Sequence, residues 1–127
     1  HEVFVKLSSC AALVHPSLHD SGGWVCLEAM AAGRPVICLD LGGPTQQVTN
    51  ETGIIASAES PEVAIQAMAD AMQTLAADPL LRVQMGEAGK KRIAEIYTWE
   101  AKGEFLSNLY KNLSQPLQIK EPSTCAS

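Results

Sequence analysis

Aromatic side chains are scarce: Phe, Trp and Tyr together make up 5% of the 127 residues. A core must therefore be filled by Ala, Val, Leu, Ile and Met, and the 46% hydrophobic content is enough for that. Positive charge is also in short supply. Nine Lys and Arg stand against 14 Asp and Glu, and a net charge of −5 argues against a general nucleic-acid surface. No apolar run approaches the roughly 20 residues of a membrane-spanning helix, and no secretory leader pattern is present. The four cysteines, Cys10, Cys26, Cys38 and Cys125, contain no pair at metal-ligand spacing. Cys26 and Cys38 lie in apolar segments and read as reduced core residues, which favours a cytoplasmic setting. The length fits one domain. The chain opens on His1 and Glu2, within an element by its pattern, and reads as a fragment of a longer polypeptide.

What is present is an alternation of short apolar runs and helical patterns. Residues 2–9 read as the end of a helix with Val3, Phe4 and Leu7 on one side. Residues 11–15 and 35–40 read as buried strands, and residues 53–56 as a third. Ser60 caps a helix that has Pro61 at its first position and Ala64, Met68, Ala71, Met72 and Leu75 on one face. Asp78 caps the next, with Leu81, Met85, Ala88 and Ile96 as its apolar face. Its cluster Lys90, Lys91 and Arg92 reads as a solvated C-terminal face. Thr98 caps the last, with Trp99, Phe105, Leu106, Leu109, Tyr110 and Leu113 available for packing. Residues 114–127 read as a loose tail. Such alternation predicts an α/β fold, a parallel sheet with helices on both faces.

The stretch 19–33, HDSGGWVCLEAMAAG, carries the chemistry. Asp20 and Ser21 are good N-cap residues. Gly22 and Gly23 let a ligand approach the backbone. A helix over 24–32 follows, ended by Gly33 and Pro35. The free amides of its first turn, near Gly22 to Val25, form an end suited to a phosphate. Glu28 lies one turn along, about 6 Å of rise from Trp24, flanked by Cys26, Leu27, Ala29 and Met30. It is expected on the buried side of the helix, where an unpaired charge is costly. Its carboxylate suits two neighbouring hydroxyls, as on a ribose. The same residues also read as an ordinary capped helix with a solvated glutamate. The turn Gly42–Gly43 follows the second strand and either faces the ligand or is a simple turn. His15 and His19 flank the loop, and His19, beside Asp20, is the better candidate for a contact.

Residues 16–44, PSLHDSGGWVCLEAMAAGRPVICLDLGGP, resemble the C-terminal domain of retaining GT-B glycosyltransferases of the GT4 family. That family carries Glu-x7-Glu, then a Glu-Ala-Met-Ala-x-Gly-x-Pro-Val run and a Gly-Gly turn. Here the first motif reads Asp20-x7-Glu28 and the second runs from Glu28 to Val36. The resemblance continues to about Leu113 through Thr52-Gly53-Ile54-Ile55, Asp78-Pro79-Leu80-Leu81-Arg82, Met85-Gly86 and Tyr97-Thr98-Trp99-Glu100. It departs from the family where Ser21-Gly22-Gly23 replaces Gly-Phe-Gly, and where Gln46, with Gln47 behind it, replaces a glutamate.

The resemblance implies a partial Rossmann-like sheet, the C-terminal half of a GT-B fold, over residues 1–113, with a tail over 114–127. It implies the donor-binding part of an enzyme that transfers a sugar from a nucleotide-diphosphate sugar. Asp20 would hold hydroxyls of the transferred sugar and act as the catalytic carboxylate. Ser21, Gly22, Gly23, Trp24 and Val25 would bind sugar and diphosphate, Glu28 the ribose, and the Gly42–Gly43 turn would approach the sugar. No metal and no further cofactor are implied. The acceptor-binding N-terminal domain and the basic Arg/Lys pair would lie outside this chain, which alone would not catalyse transfer. Peripheral membrane association of the whole enzyme would belong to the absent half. A non-catalytic nucleotide-sugar-binding module and a GT-B-fold sugar-nucleotide epimerase are the alternative readings, with a phosphorylase behind them.

Overall fold

The structure, a computed structural model, describes residues 2–113; the tail expected over 114–127 lies outside the described residues. Helix α1 (Glu2–Ser9) leads into strand β1 (Leu13–His15), helix α2 (Trp24–Ala31), strand β2 (Val36–Leu39), the one-turn helix α3 (Pro44–Gln47) and strand β3 (Gly53–Ala56). Three longer helices follow: α4 (Pro61–Ala77), α5 (Pro79–Arg92) and α6 (Trp99–Leu113), the last two joined by a π-helical turn, Ile93–Tyr97. The sheet is parallel in the order β1-β2-β3, with Leu13 opposite Val36 and Val36 opposite Gly53. This is the expected α/β architecture.

Strand β2 shows how the sequence produces the layers. All four of its residues are buried, and successive side chains point to opposite faces. Val36 and Cys38 join Leu7, Cys26, Ala29, Met30 and Val48 in a core on the α1–α2 side. Ile37 and Leu39 join Met68, Ala71, Leu75 and Met85 on the α4–α5 side. Each buried Val, Leu, Ile or Met among them contributes about 1.5–3 kcal/mol against leaving it in water. The two long helices begin as the sequence predicts. Ser60 Oγ accepts from the Val63 amide at 3.3 Å, and Asp78 Oδ1 from the Leu81 amide at 2.9 Å.

Several faces differ from expectation. Strand β1 starts two residues later than predicted and ends as predicted at His15, and β2 is one residue shorter at each end. Met72 is 44% exposed, at the rim of the α4 stripe. Val3 and Phe4 are also exposed, leaving Leu7 as the buried residue of α1. Ile96 lies in the π-helical turn and not on α5, yet it borders the same cavity as Leu81, Met85 and Ala88. Thr98 caps α6, accepting from the Ala101 amide at 3.2 Å. Yet α6 has no buried residue.

Helix α5 crosses the C-terminal end of α2 at very close range. A Cβ on Gly86 would lie 2.2 Å from the Gly33 carbonyl oxygen, and one on Gly89 would lie 3.2 Å from Met30 Cβ. The missing side chains let backbone meet backbone there.

Candidate functional site

Two turns meet at the carboxyl ends of β1 and β2, the edge where open parallel sheets place their ligands. The first is the loop from His15 to Gly23, and the second is Leu41-Gly42-Gly43. Their backbones are bonded directly. The Gly43 amide donates to the Asp20 carbonyl at 2.8 Å. Gly42 has φ +64, and a Cβ there would fall 2.6 Å from that same oxygen. Glycine is required at both positions, for backbone conformation at the first and for close approach at the second.

Asp20 organises the first turn, though not as a cap. Its Oδ1 accepts from the Gly22 amide at 2.9 Å and from the Gly23 amide at 2.8 Å. Its Oδ2 accepts from His15 Nε2 at 2.9 Å. The Gly23 amide first, then the Gly22 amide, hold the carboxyl below the ordinary aspartate value, against a smaller opposing effect of burial and with added help from His15. The N-cap of α2 is Gly23, in the left-handed region at φ 52, without a side-chain cap. The expectation that Asp20 or Ser21 caps the helix is thus corrected. The carboxylate folds back onto its own loop before the helix begins, and Ser21 is exposed and makes no side-chain bond among the described residues.

This changes which amides are free. Those of Gly22 and Gly23 are held by Asp20, and that of Gly43 by the Asp20 carbonyl. Within the described residues the amides of Trp24, Val25 and Gly42 have no such partner. Trp24 is 76% exposed, and its indole folds over Gly22, where a Cβ would meet Nε1 at 3.0 Å. Glu28 is exposed, which corrects its expected place on the buried side. Cys26, Ala29 and Met30 define the inward face of α2. At about 100° per residue, Glu28 points away from their mean direction. The same arithmetic applied to the sequence finds this.

The histidine assignment also reverses. His19 is exposed, and His15, at the end of β1, meets Asp20. Two residues of the site have no motif of their own. Gln47, the last residue of α3, is buried, and its Nε2 donates to the Gly22 carbonyl. Arg92 is not part of a solvated cluster. Its Nε donates to the Gln47 carbonyl at 2.8 Å and its Nη2 to the Gln46 carbonyl at 3.3 Å. Gln46 itself is exposed. A cavity of about 510 Å³ opens beside the loop, bordered by Trp24, Gln47, Tyr97, Trp99 and Lys102.

Cys26 and Cys38 are fully buried and unpaired, as expected. Burial pushes their thiols up to about 12 and about 11. No group of three or more His, Cys, Asp or Glu among the described residues forms a metal cluster, and no described helix is long and apolar enough to cross a membrane.

The chain is similar to characterised proteins over most of its length. D-inositol 3-phosphate glycosyltransferase of Corynebacterium glutamicum is 39% identical over 98 residues, 76% of this chain and 22% of that protein. Alpha-maltose-1-phosphate synthase of Mycolicibacterium smegmatis is 32% identical over 117 residues, 90% of this chain and 30% of that protein. Among solved structures, sucrose-phosphate synthase from Thermosynechococcus elongatus superposes with a TM-score of 0.72 at 34% identity, covering 86% of this chain and 27% of that one. A point mutant of S. aureus TarM, solved with fondaparinux, alpha-GlcNAc-glycerol and UDP, gives 0.70 at 25% identity, covering 85% of this chain and 22% of that one. These likenesses support a GT-B fold, and this chain spans between a fifth and a third of each of these proteins. The family model for glycosyl transferases group 1 matches residues 2–92, and the chain belongs to that family.

Proposed function

We propose that this chain is the donor-binding part of a retaining, GT4-type hexosyltransferase that uses a nucleotide-diphosphate sugar. One juxtaposition supports the reading: the Asp20–Val25 loop is fixed against the Gly42–Gly43 turn at the strand ends, and Glu28 follows one turn along α2. In this reading the Trp24 and Val25 amides meet the diphosphate, where the partial positive charge of the helix end is greatest. Donor entry exchanges with Asp20 Oδ1. The carboxylate turns to a hydroxyl of the sugar, and the Gly22 and Gly23 amides join the diphosphate site. Exposure of Glu28 leaves it accessible to the ribose hydroxyls.

The chemistry is stabilisation of charge. As the glycosidic bond to the diphosphate breaks, negative charge grows on the leaving oxygens and is met by helix-end amides. Positive charge grows on the sugar carbon, and Asp20 orients and stabilises it. The reading assigns no metal. The remaining charge on the diphosphate falls to a basic pair elsewhere in the polypeptide, and the acceptor to another domain. The 127-residue chain alone is therefore inactive in transfer, and the whole enzyme works in the cytoplasm. The UDP bound in the TarM complex is consistent with a nucleotide donor.

Calorimetric titration of UDP-, GDP- and ADP-sugars into the complete polypeptide tests this. One of them binds, and Glu28→Ala weakens that binding by about 1.5–3 kcal/mol, the size of a charge-assisted hydrogen bond. An unchanged affinity removes Glu28 from the site. Transfer by the isolated chain would refute the assignment of a separate acceptor domain.

A further inference from the structure

We propose that Gln47 is a positioning residue for the donor loop and that Arg92 acts through it. The inference rests on the donor-binding reading above. Helix α3 is a single turn, too short to hold itself by its own hydrogen bonds. Its last carbonyls have no helical partner, and Arg92 reaches two of them from α5, 45 and 46 positions away in sequence. A planar guanidinium suits this double contact, and a cation at a helix C-terminus is favoured. Tyr97 adds a bond from its hydroxyl to the Gln46 carbonyl at 3.4 Å, and its ring lies 5.9 Å from the Arg92 guanidinium. The end of α3 is therefore tied to α5 and the π-helical turn.

Gln47 carries that tie into the site. It is 8% exposed, and its Nε2 donates to the Gly22 carbonyl from beneath the loop. Its Oε1 is buried without a partner among the described residues and sits directly under Gly23, where a Cβ would lie 2.7 Å from it. An unpaired buried acceptor is unfavourable. It is tolerated here beside the bond from Nε2 to the Gly22 carbonyl, which holds the carboxamide against the loop. Gln47 thus sets where the loop rests.

The test measures binding of UDP, GDP and ADP to the complete polypeptide, with thermal melting recorded alongside. Gln47→Met keeps the volume and loses the donor. It is expected to raise the Kd of the nucleotide that wild type binds about fivefold, one neutral hydrogen bond or about 1 kcal/mol, with little change in melting temperature. Arg92→Met has a similar effect, and the double variant is no worse than either single one, because both act on one element. Arg92→Lys keeps a cation at the end of α3 without the double contact and recovers part of the lost affinity. Should Arg92→Met fail to fold, Gln47→Met and Arg92→Lys carry the comparison. Wild-type binding with an unaffected Gln47→Met, or independent multiplication of the two effects, overturns the inference and leaves the donor reading intact. Failure of wild type to bind any of the three overturns both.

Discussion

Gly43→Ala probes the contact on which both turns of the site depend. Gly43 has φ −62 and ψ −39, angles any residue adopts, so alanine adds no backbone strain. It adds a Cβ that would lie 2.3 Å from the Ser21 carbonyl oxygen and 2.7 Å from the Ser21 carbonyl carbon, where ordinary contact begins at 3.4 Å. Relief requires the two turns to separate by about 1 Å, since contacts this far inside the van der Waals minimum are strongly repulsive. That movement also breaks the 2.8 Å bond from the Gly43 amide to the Asp20 carbonyl. Overpacking costs about 1–3 kcal/mol and the lost bond about 0.5–1.5 kcal/mol, while replacing glycine recovers up to about 1 kcal/mol of chain entropy. The net loss is about 2 kcal/mol. Urea unfolding should show a lower midpoint with an unchanged slope. Affinity for the nucleotide donor should fall about tenfold or more, because displacements near 1 Å disrupt binding geometry. Gly103→Ala supplies the control. It is an exposed position of α6 with nothing within 4 Å of the added Cβ, where alanine should stabilise by about 0.5–1 kcal/mol. Wild-type midpoint and affinity in Gly43→Ala would show that the turns are not in obligatory contact.

Two more measurements address the site and its core. Because Asp20 has a lowered folded value, the loop stability it provides is present above the ordinary value of 3.8 and disappears as pH falls through the lowered one. The Gly22 and Gly23 amide resonances should hold steady down to about pH 4 and move only below it; a transition centred above 3.8 would contradict the assigned hydrogen bonds. Iodoacetamide at neutral pH should label exposed Cys10 in the native protein, whereas Cys26 and Cys38 react only on unfolding, as peptide mapping would show. Rapid native labelling of Cys38 would mean that the centre of the sheet is open.

What was legible in the sequence was local or periodic. Ser60, Asp78 and Thr98 cap helices through amides three residues away, so a short window contains both partners. The run VICL, buried on both faces, identified β2 without any knowledge of its neighbours. The site was legible in its order and less so in its bonding. Asp20, a good N-cap by residue type, instead holds two amides of its own loop, and the left-handed Gly23 stands at the N-cap. Glu28 faces solvent although its sequence neighbours are apolar, because helical phase and not adjacency sets its side. Arg92 and Gln47 meet across 45 positions, and nothing local in either segment signals it. The exposure of the apolar residues on α6 is likewise invisible to a pattern that records only their spacing.

The bare crossing at Gly86 has a consequence for how this chain can vary. Any side chain there must lever α5 away from Gly33, and the far end of that rigid rod carries the guanidinium that pins α3. A single methyl there would therefore slacken the hold on α3 and on the loop above it, and a screen for lost donor affinity should recover mutations at Gly86.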